Sequence, residues 1–155
     1  MTLIQELMNQ SAVGGLLNAA VVKRFSPAEI RETIQSFVAT EQLDLANALG
    51  DAGLSLYPHS EDLLAITSLL AMMNQDWSLA VELLEELTEI QGEATPPFTY
   101  VMFVRALRCN LDPARALEVA REGLEKFPEQ VELLAEKLSL DDFSDSMLST
   151  SAQKH

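Results

Sequence analysis

Glu85, Glu86 and Glu89 lie within about one helical turn of each other, and neighbouring carboxylates are the raw material of proton transfer. That work needs one carboxyl kept protonated near neutrality by burial or by a like charge. These three sit on the polar side of an amphipathic run, so a solvated face is the expectation. His59 and His155 are the only histidines. Neither has a cysteine or a second histidine nearby, so no zinc ligand set is assembled. His59 follows Pro58 and reads as a turn or cap residue. Cys109 is the only cysteine, which excludes an intramolecular disulfide. It lies in an apolar run with no histidine to activate it, and reads as core. Gly14-Gly15 lacks the Lys-Ser that completes a phosphate-binding loop. No catalytic residue, metal or cofactor is assigned, and the chain is not expected to be an enzyme.

The elements that hold these residues are helical. The chain has 155 residues, 48% of them hydrophobic but only 6% aromatic. Leu, Ala and Glu dominate, which favours helix over sheet. The formal charge is −14. No Lys or Arg occurs between Arg31 and Arg105, a stretch holding twelve Asp and Glu residues. Such a surface repels phosphate backbones and anionic lipid headgroups, so no nucleic-acid partner is expected. Leu63 to Met73, the longest strongly apolar run, is too short to span a bilayer, so no membrane insertion is expected. No signal peptide is evident, and the lone cysteine fits a reducing compartment, so the expected location is cytoplasmic.

The sequence repeats itself. Gly53-Leu54-Ser55-Leu56-Tyr57-Pro58 returns as Gly123-Leu124-Glu125-Lys126-Phe127-Pro128, and each copy then reaches Leu-Leu-Ala. A middle copy falls between them: the segments opening at Leu45, Leu79 and Arg115 align. Each unit predicts two helices. They are Pro27–Thr40 with Asp44–Leu56, Glu61–Met73 with Trp77–Ile90, and Pro96–Cys109 with Pro113–Lys126. Ser26-Pro27-Ala28-Glu29 is a capping box with proline at the first helical position. Ser60, Asp76, Thr95 and Asp112 are the other expected N-caps, and Asn74 and Gly92 the expected stops. A last helix, Glu129–Leu138, is expected to cap the array. The predicted organisation is an arm over 1–25, repeats and cap over 26–138 (repeats about 27–58, 60–92 and 96–128), and a mobile polar tail over 139–155. In the arm, Leu3, Ile4, Leu7 and Met8 share one side of a short amphipathic helix. Helices so short are marginal alone, so the arm must dock on its own repeats or on a second copy, making a homodimer.

Two-helix repeats with this period resemble the tetratricopeptide family. The match rests on Ala46, Gly53 and Pro58 in the first repeat and Ala116, Gly123 and Pro128 in the third. The second keeps Ala80 but has Leu87 and Gly92 in the other two places. The fold class this implies is all-α, a tetratricopeptide-like α-solenoid of three helix hairpins with an N-terminal arm and a C-terminal capping helix. The layout also looks like the small acidic tetratricopeptide chaperones of bacterial type III secretion, in the order of arm, Gly14-Gly15, three hairpins and polar tail. Pro96-Pro97-Phe98 is similar to their third-repeat opening. Thr67, Ser68 and Ala71 depart from the glycine and aromatic positions of that group's second repeat.

The resemblance implies a concave surface lined by the first helix of each hairpin. Carried over, it places Leu69 and Met72 of the second repeat there, with Phe98, Val101, Arg105 and Arg108 of the third; Met73 and Met102 join them as expected partner-binding residues. Both helices are apolar nearly all round. Either neighbouring helices cover them, or part of their surface is a groove for an apolar segment of a client protein. Arg105 and Arg108 then hold a partner's carboxylate, or pair with acids of their own chain. The function expected is client holding of a chaperone kind, with a structural adaptor bridging two proteins as the alternative.

Overall fold

The structure, a computed structural model, describes residues 19–153, with side chains from residue 21 to residue 142. The arm residues Leu3, Ile4, Leu7 and Met8 lie outside it, as do Gly14 and Gly15. The described helices are α1 (Ala19–Val22), α2 (Pro27–Ala39), α3 (Leu43–Leu56), α4 (Glu61–Met73), α5 (Trp77–Gln91), α6 (Pro97–Cys109), α7 (Pro113–Lys126) and α8 (Val131–Gln153). A 3-10 turn, Gly92–Ala94, precedes α6. The chain divides into two compact units, Met1–Gln91 and Gly92–His155.

Local chemistry sets most helix starts. The Ser26 hydroxyl accepts from the Glu29 amide at 3.2 Å, and Glu29 accepts in return from the Ser26 amide at 3.1 Å. Ser60, Asp76 and Asp112 accept from the amides of Leu63, Leu79 and Arg115. Thr95 departs from expectation. Pro96 occupies the cap position of α6 and Pro97 its first turn, so the helix begins one residue late. The buried Thr95 hydroxyl instead donates to the Gly92 carbonyl at 2.7 Å and closes the 3-10 turn.

Each hairpin turns through the same left-handed residue, Glu41, Gln75 or Leu111, with φ of 60°, 60° and 62°. The amide that follows donates back five residues: Gln42 to Phe37, Asp76 to Ala71 and Asp112 to Leu107, at 2.8 to 2.9 Å. This six-to-one bond satisfies carbonyls that the helix end leaves orphaned. The repeat is thus written in the backbone as well as in the side chains.

In the first unit, Val22, Ile30, Ile34, Phe37, Leu49, Leu63, Ile66 and Leu70 form one closed cluster. In the second, Tyr100, Val101, Phe103, Val104, Leu107, Val119, Leu133 and Leu140 are buried. The two glycines of the repeat signature serve this packing alike. A Cβ on Gly53 would meet Ile30 at 3.1 Å and Leu63 at 3.3 Å; one on Gly123 would meet Leu133 at 2.9 Å and Tyr100 at 3.0 Å. α3 and α7 therefore each sit close against the first helix of their own hairpin and the first helix that follows within the same unit. In the second repeat that position is Leu87, fully buried.

The last helix departs furthest from expectation. It was expected to end near Leu138 and give way to a polar tail; α8 instead runs to Gln153, and Leu140 is buried beyond the expected end. Ser and Asp lower helix propensity by only a few tenths of a kcal/mol each, so an anchored helix continues through them.

Candidate functional site

Most of the apolar surface of α4 is used by the fold. Leu63, Leu64, Ile66 and Leu70 are buried, and Leu69 is half-buried against the core of its unit. Thr67 and Ser68 are buried as well. Their hydroxyls donate to the carbonyls of Leu63 and Leu64 one turn back, so burial leaves neither unpaired. What α4 still presents is half-buried Met72 and Met73, 45% exposed.

On α6, Tyr100, Val101, Met102, Phe103, Val104 and Leu107 are all buried. Val101 and Met102 were counted among the partner-binding residues. With 0% and 4% of their surface accessible, they have nothing to offer a partner. The helix is apolar nearly all round because the fold covers it nearly all round. Phe98, in its first turn, is the exception: 57% of it is exposed.

Arg105 and Arg108 follow Phe98 at one side of α6, and both turn to Glu136 of α8. Arg105 Nε donates to Glu136 Oε1 at 2.9 Å, and Arg108 Nε lies 3.1 Å from Oε2. Glu132 adds a carboxylate 3.7 Å from Arg105. The Glu136 side chain is 9% exposed and each arginine 43%. Two guanidinium groups clasp one nearly buried carboxylate, which makes the pairing within the chain, left open by the sequence, the one observed. In the first unit Arg31 pairs with Asp62, and both pairs join a first helix to the next one, 31 residues on.

Glu136 is a functional-looking residue that composition hides. Its signal is register: 34 residues after Met102, it puts an acid at a buried position of the repeat. Lys126 is held above the ordinary lysine range, first by the neighbouring Tyr100 side chain and then by the Glu93 carboxylate 3.3 Å away. His59 reaches Glu86 at 3.1 Å on open surface. Cys109 is half-buried rather than fully core. In the first unit a cleft of about 250 Å³ opens between α3, α4 and α5, walled by Leu54, Leu79 and Leu83, with Asp51 and Asp76 at its margin. None of the residues expected to bind a partner lines it. Among the described residues no group of His, Cys, Asp or Glu could hold a metal ion, and no helix is long and apolar enough to cross a membrane.

No family model matches the sequence, and no curated protein matches it. Solved structures do. A double mutant of MamA, MamA RS-1 ArsTM, superposes with a TM-score of 0.70 at 13% identity, over 82% of this chain and 74% of its own. A Podosopora anserina protein of the kinesin light chain kind, with nearly identical TPR-like repeats, gives 0.63 at 19%, over 83% and 70%. The assembly chaperone of RpL4, Acl4 (residues 1–338), gives 0.61 at 14%, over 96% and 59%. At these identities the likeness shows the fold alone. That fold is all-α and tetratricopeptide-like, as the repeat pattern implied.

Proposed function

We propose that this chain is a protein-binding module that holds an apolar segment of a partner against the exposed side of α6. The observation that carries the reading is Phe98. Its ring is more than half exposed on a helix whose other large apolar side chains are enclosed. Folding gains little from such a residue, whereas burial under a partner recovers about 1.5–3 kcal/mol. In the first unit Met72 and Met73 give α4 an accessible apolar surface of its own, and their flexible thioethers repack around varied apolar ligands. The two arginines beside Phe98 are paired with Glu136 and Glu132 and serve to set the face rather than to capture a free carboxylate.

Client holding of the chaperone kind remains the preferred form, and Acl4, a structural neighbour, is itself named an assembly chaperone. The further likeness to type III secretion chaperones rests on the Pro96-Pro97-Phe98 opening, whose aromatic is the exposed one. The structural adaptor is favoured by a different observation. With Val101 and Met102 closed, the apolar surface left on α4 and α6 is small, as suits docking a folded partner.

A photo-crosslinking residue at position 98, expressed in the native cell, should capture one partner. Phe98→Glu and Met72→Glu should abolish its co-purification while leaving the helical circular dichroism unchanged. Persistence of binding in both variants sinks the reading. A partner that stays soluble and monodisperse without this chain leaves the adaptor; one that aggregates without it supports the chaperone.

A further inference from the structure

The first helices of the three hairpins share a register. Ile30, Leu64 and Tyr100 occupy one position of it, and Ile34, Ser68 and Val104 the position one turn on. All six are buried, and the second helix of each hairpin packs against its own first helix. Gly53 and Gly123, both on second helices, come close to Ile30 and Tyr100 and show what the contact requires: a small residue seated on the large one.

α8 continues this register. Leu133 meets Gly123 as Leu63 meets Gly53, which makes α8 the first helix of a fourth unit. Leu134 and Leu138 then fall on the two positions that are buried in every hairpin, yet they are 41% and 63% exposed, with Val131 beside them at 75%. Leu133, Glu136 and Leu140 are buried on the opposite side. The helix has an apolar stripe on each of two faces, one covered and one bare. A terminal cap needs a polar outer face, and α8 does not have one.

We infer that the bare stripe of α8 is the seat of a second helix supplied by another protein, completing a fourth hairpin. The occupant is an amphipathic helix with small residues spaced as Ala46, Gly50 and Gly53 or Ala116, Ala120 and Gly123 are. Exposed Glu129 and Asp142 border the stripe, while Glu132 is turned to Arg105 and Lys137 is paired with Asp141, so basic residues flank the occupant's small-residue face. A second copy of this chain is a poor fit: its own α8 presents bulky side chains, and each copy carries a charge of −14. The site is separate from the Phe98 face, and either can fail without the other.

The test lengthens the full chain beyond His155 by a flexible Gly/Ser linker of about 25 residues, which spans roughly 27 Å, followed by a copy of residues 112–127. The tethered helix has the small-residue face that the register demands. It should raise the melting temperature by about 3–6 °C and protect the α8 amides from hydrogen exchange. Leu138→Glu should remove both gains while leaving the unextended chain unaffected, because Leu138 contributes little to the core. A copy carrying Gly123→Leu should give no gain. An extended chain that melts with its parent overturns the inference, as does a gain that survives Leu138→Glu. A dimer of the unextended chain that Leu138→Glu dissolves also overturns it, since the occupant would then be a second copy.

Discussion

Phe98 and Val101 stand about one turn apart on α6 and divide the apolar residues of this chain into those that hold the fold and those that do not. Val101 is wholly enclosed, so Val101→Ala removes two methyl groups and opens a cavity, at a cost of about 2 kcal/mol. Phe98→Ala, at a far larger side chain, should change stability by no more than about 0.5 kcal/mol. Urea unfolding of the two variants measures both, and a large loss at Phe98 would mean that the ring is structural. Glu136 has a different role. Replacing it with Gln removes the shared charge that Arg105 and Arg108 clasp. The arginines are partly hydrated, so solvent screening limits the loss to about 1–2 kcal/mol. Glu136→Gln should therefore lower the urea midpoint with an unchanged slope, while releasing Arg108 on the face that carries Phe98 and leaving Arg105 beside Glu132.

At the scale of the element, backbone conformation and close packing give two opposite predictions. Leu111 holds a left-handed φ of 62° with 88% of its surface exposed. Leu111→Gly relieves the steric penalty at a turn whose bond pattern is complete, and should raise stability by about 0.5–1 kcal/mol. Gly123→Ala should do the reverse. The gain in helix propensity is about 1 kcal/mol, but the new Cβ would lie 2.9 Å from Leu133 and 3.0 Å from the Tyr100 ring. Overpacking costs more than that, about 1–3 kcal/mol, so the variant should melt lower; a higher melting temperature would show that α7 can shift freely. These two residues also mark what the sequence could disclose. The caps of α2, α4, α5 and α7 were legible, because a Ser or Asp followed by a helical run acts within three residues of itself. Gly123 was legible because the repeat supplies its partners. The left-handed turns were not, since Glu41, Gln75 and Leu111 are poor advertisements for that conformation and follow from the packing of each hairpin. Nor was the enclosure of Val101 and Met102, because burial depends on residues distant in the chain. The free stripe of α8 was hidden for a related reason: Leu134 and Leu138 look like core, and only the structure shows that they are exposed.

Across the whole molecule the dominant quantity is charge. The chain carries −14, and its first unit has thirteen acids against three bases. Its Arg31–Asp62 ion pair and its His59–Glu86 hydrogen bond involve side chains at or near the surface, where such contacts contribute at most about 1 kcal/mol each. Most of the acids face solvent and one another, so folding concentrates repulsion that the unfolded chain disperses. Raising ionic strength from 0.01 to 0.15 M shortens the screening length from about 30 Å to about 8 Å. Native self-repulsion then falls faster than the few attractive pairs weaken, and the melting temperature should rise by about 2–4 °C, near 1 kcal/mol for a chain of this size. A fall in the melting temperature would mean that the paired arginines outweigh the acidic surface. The same field bears on partners. It speeds encounter with a basic segment and slows encounter with an acidic one. The salt that steadies the free chain should therefore weaken its complex, and the two effects separate in one titration: stability rising with salt while the partner's association rate falls. An association rate indifferent to salt would remove charge from recognition and leave it to the apolar contacts alone.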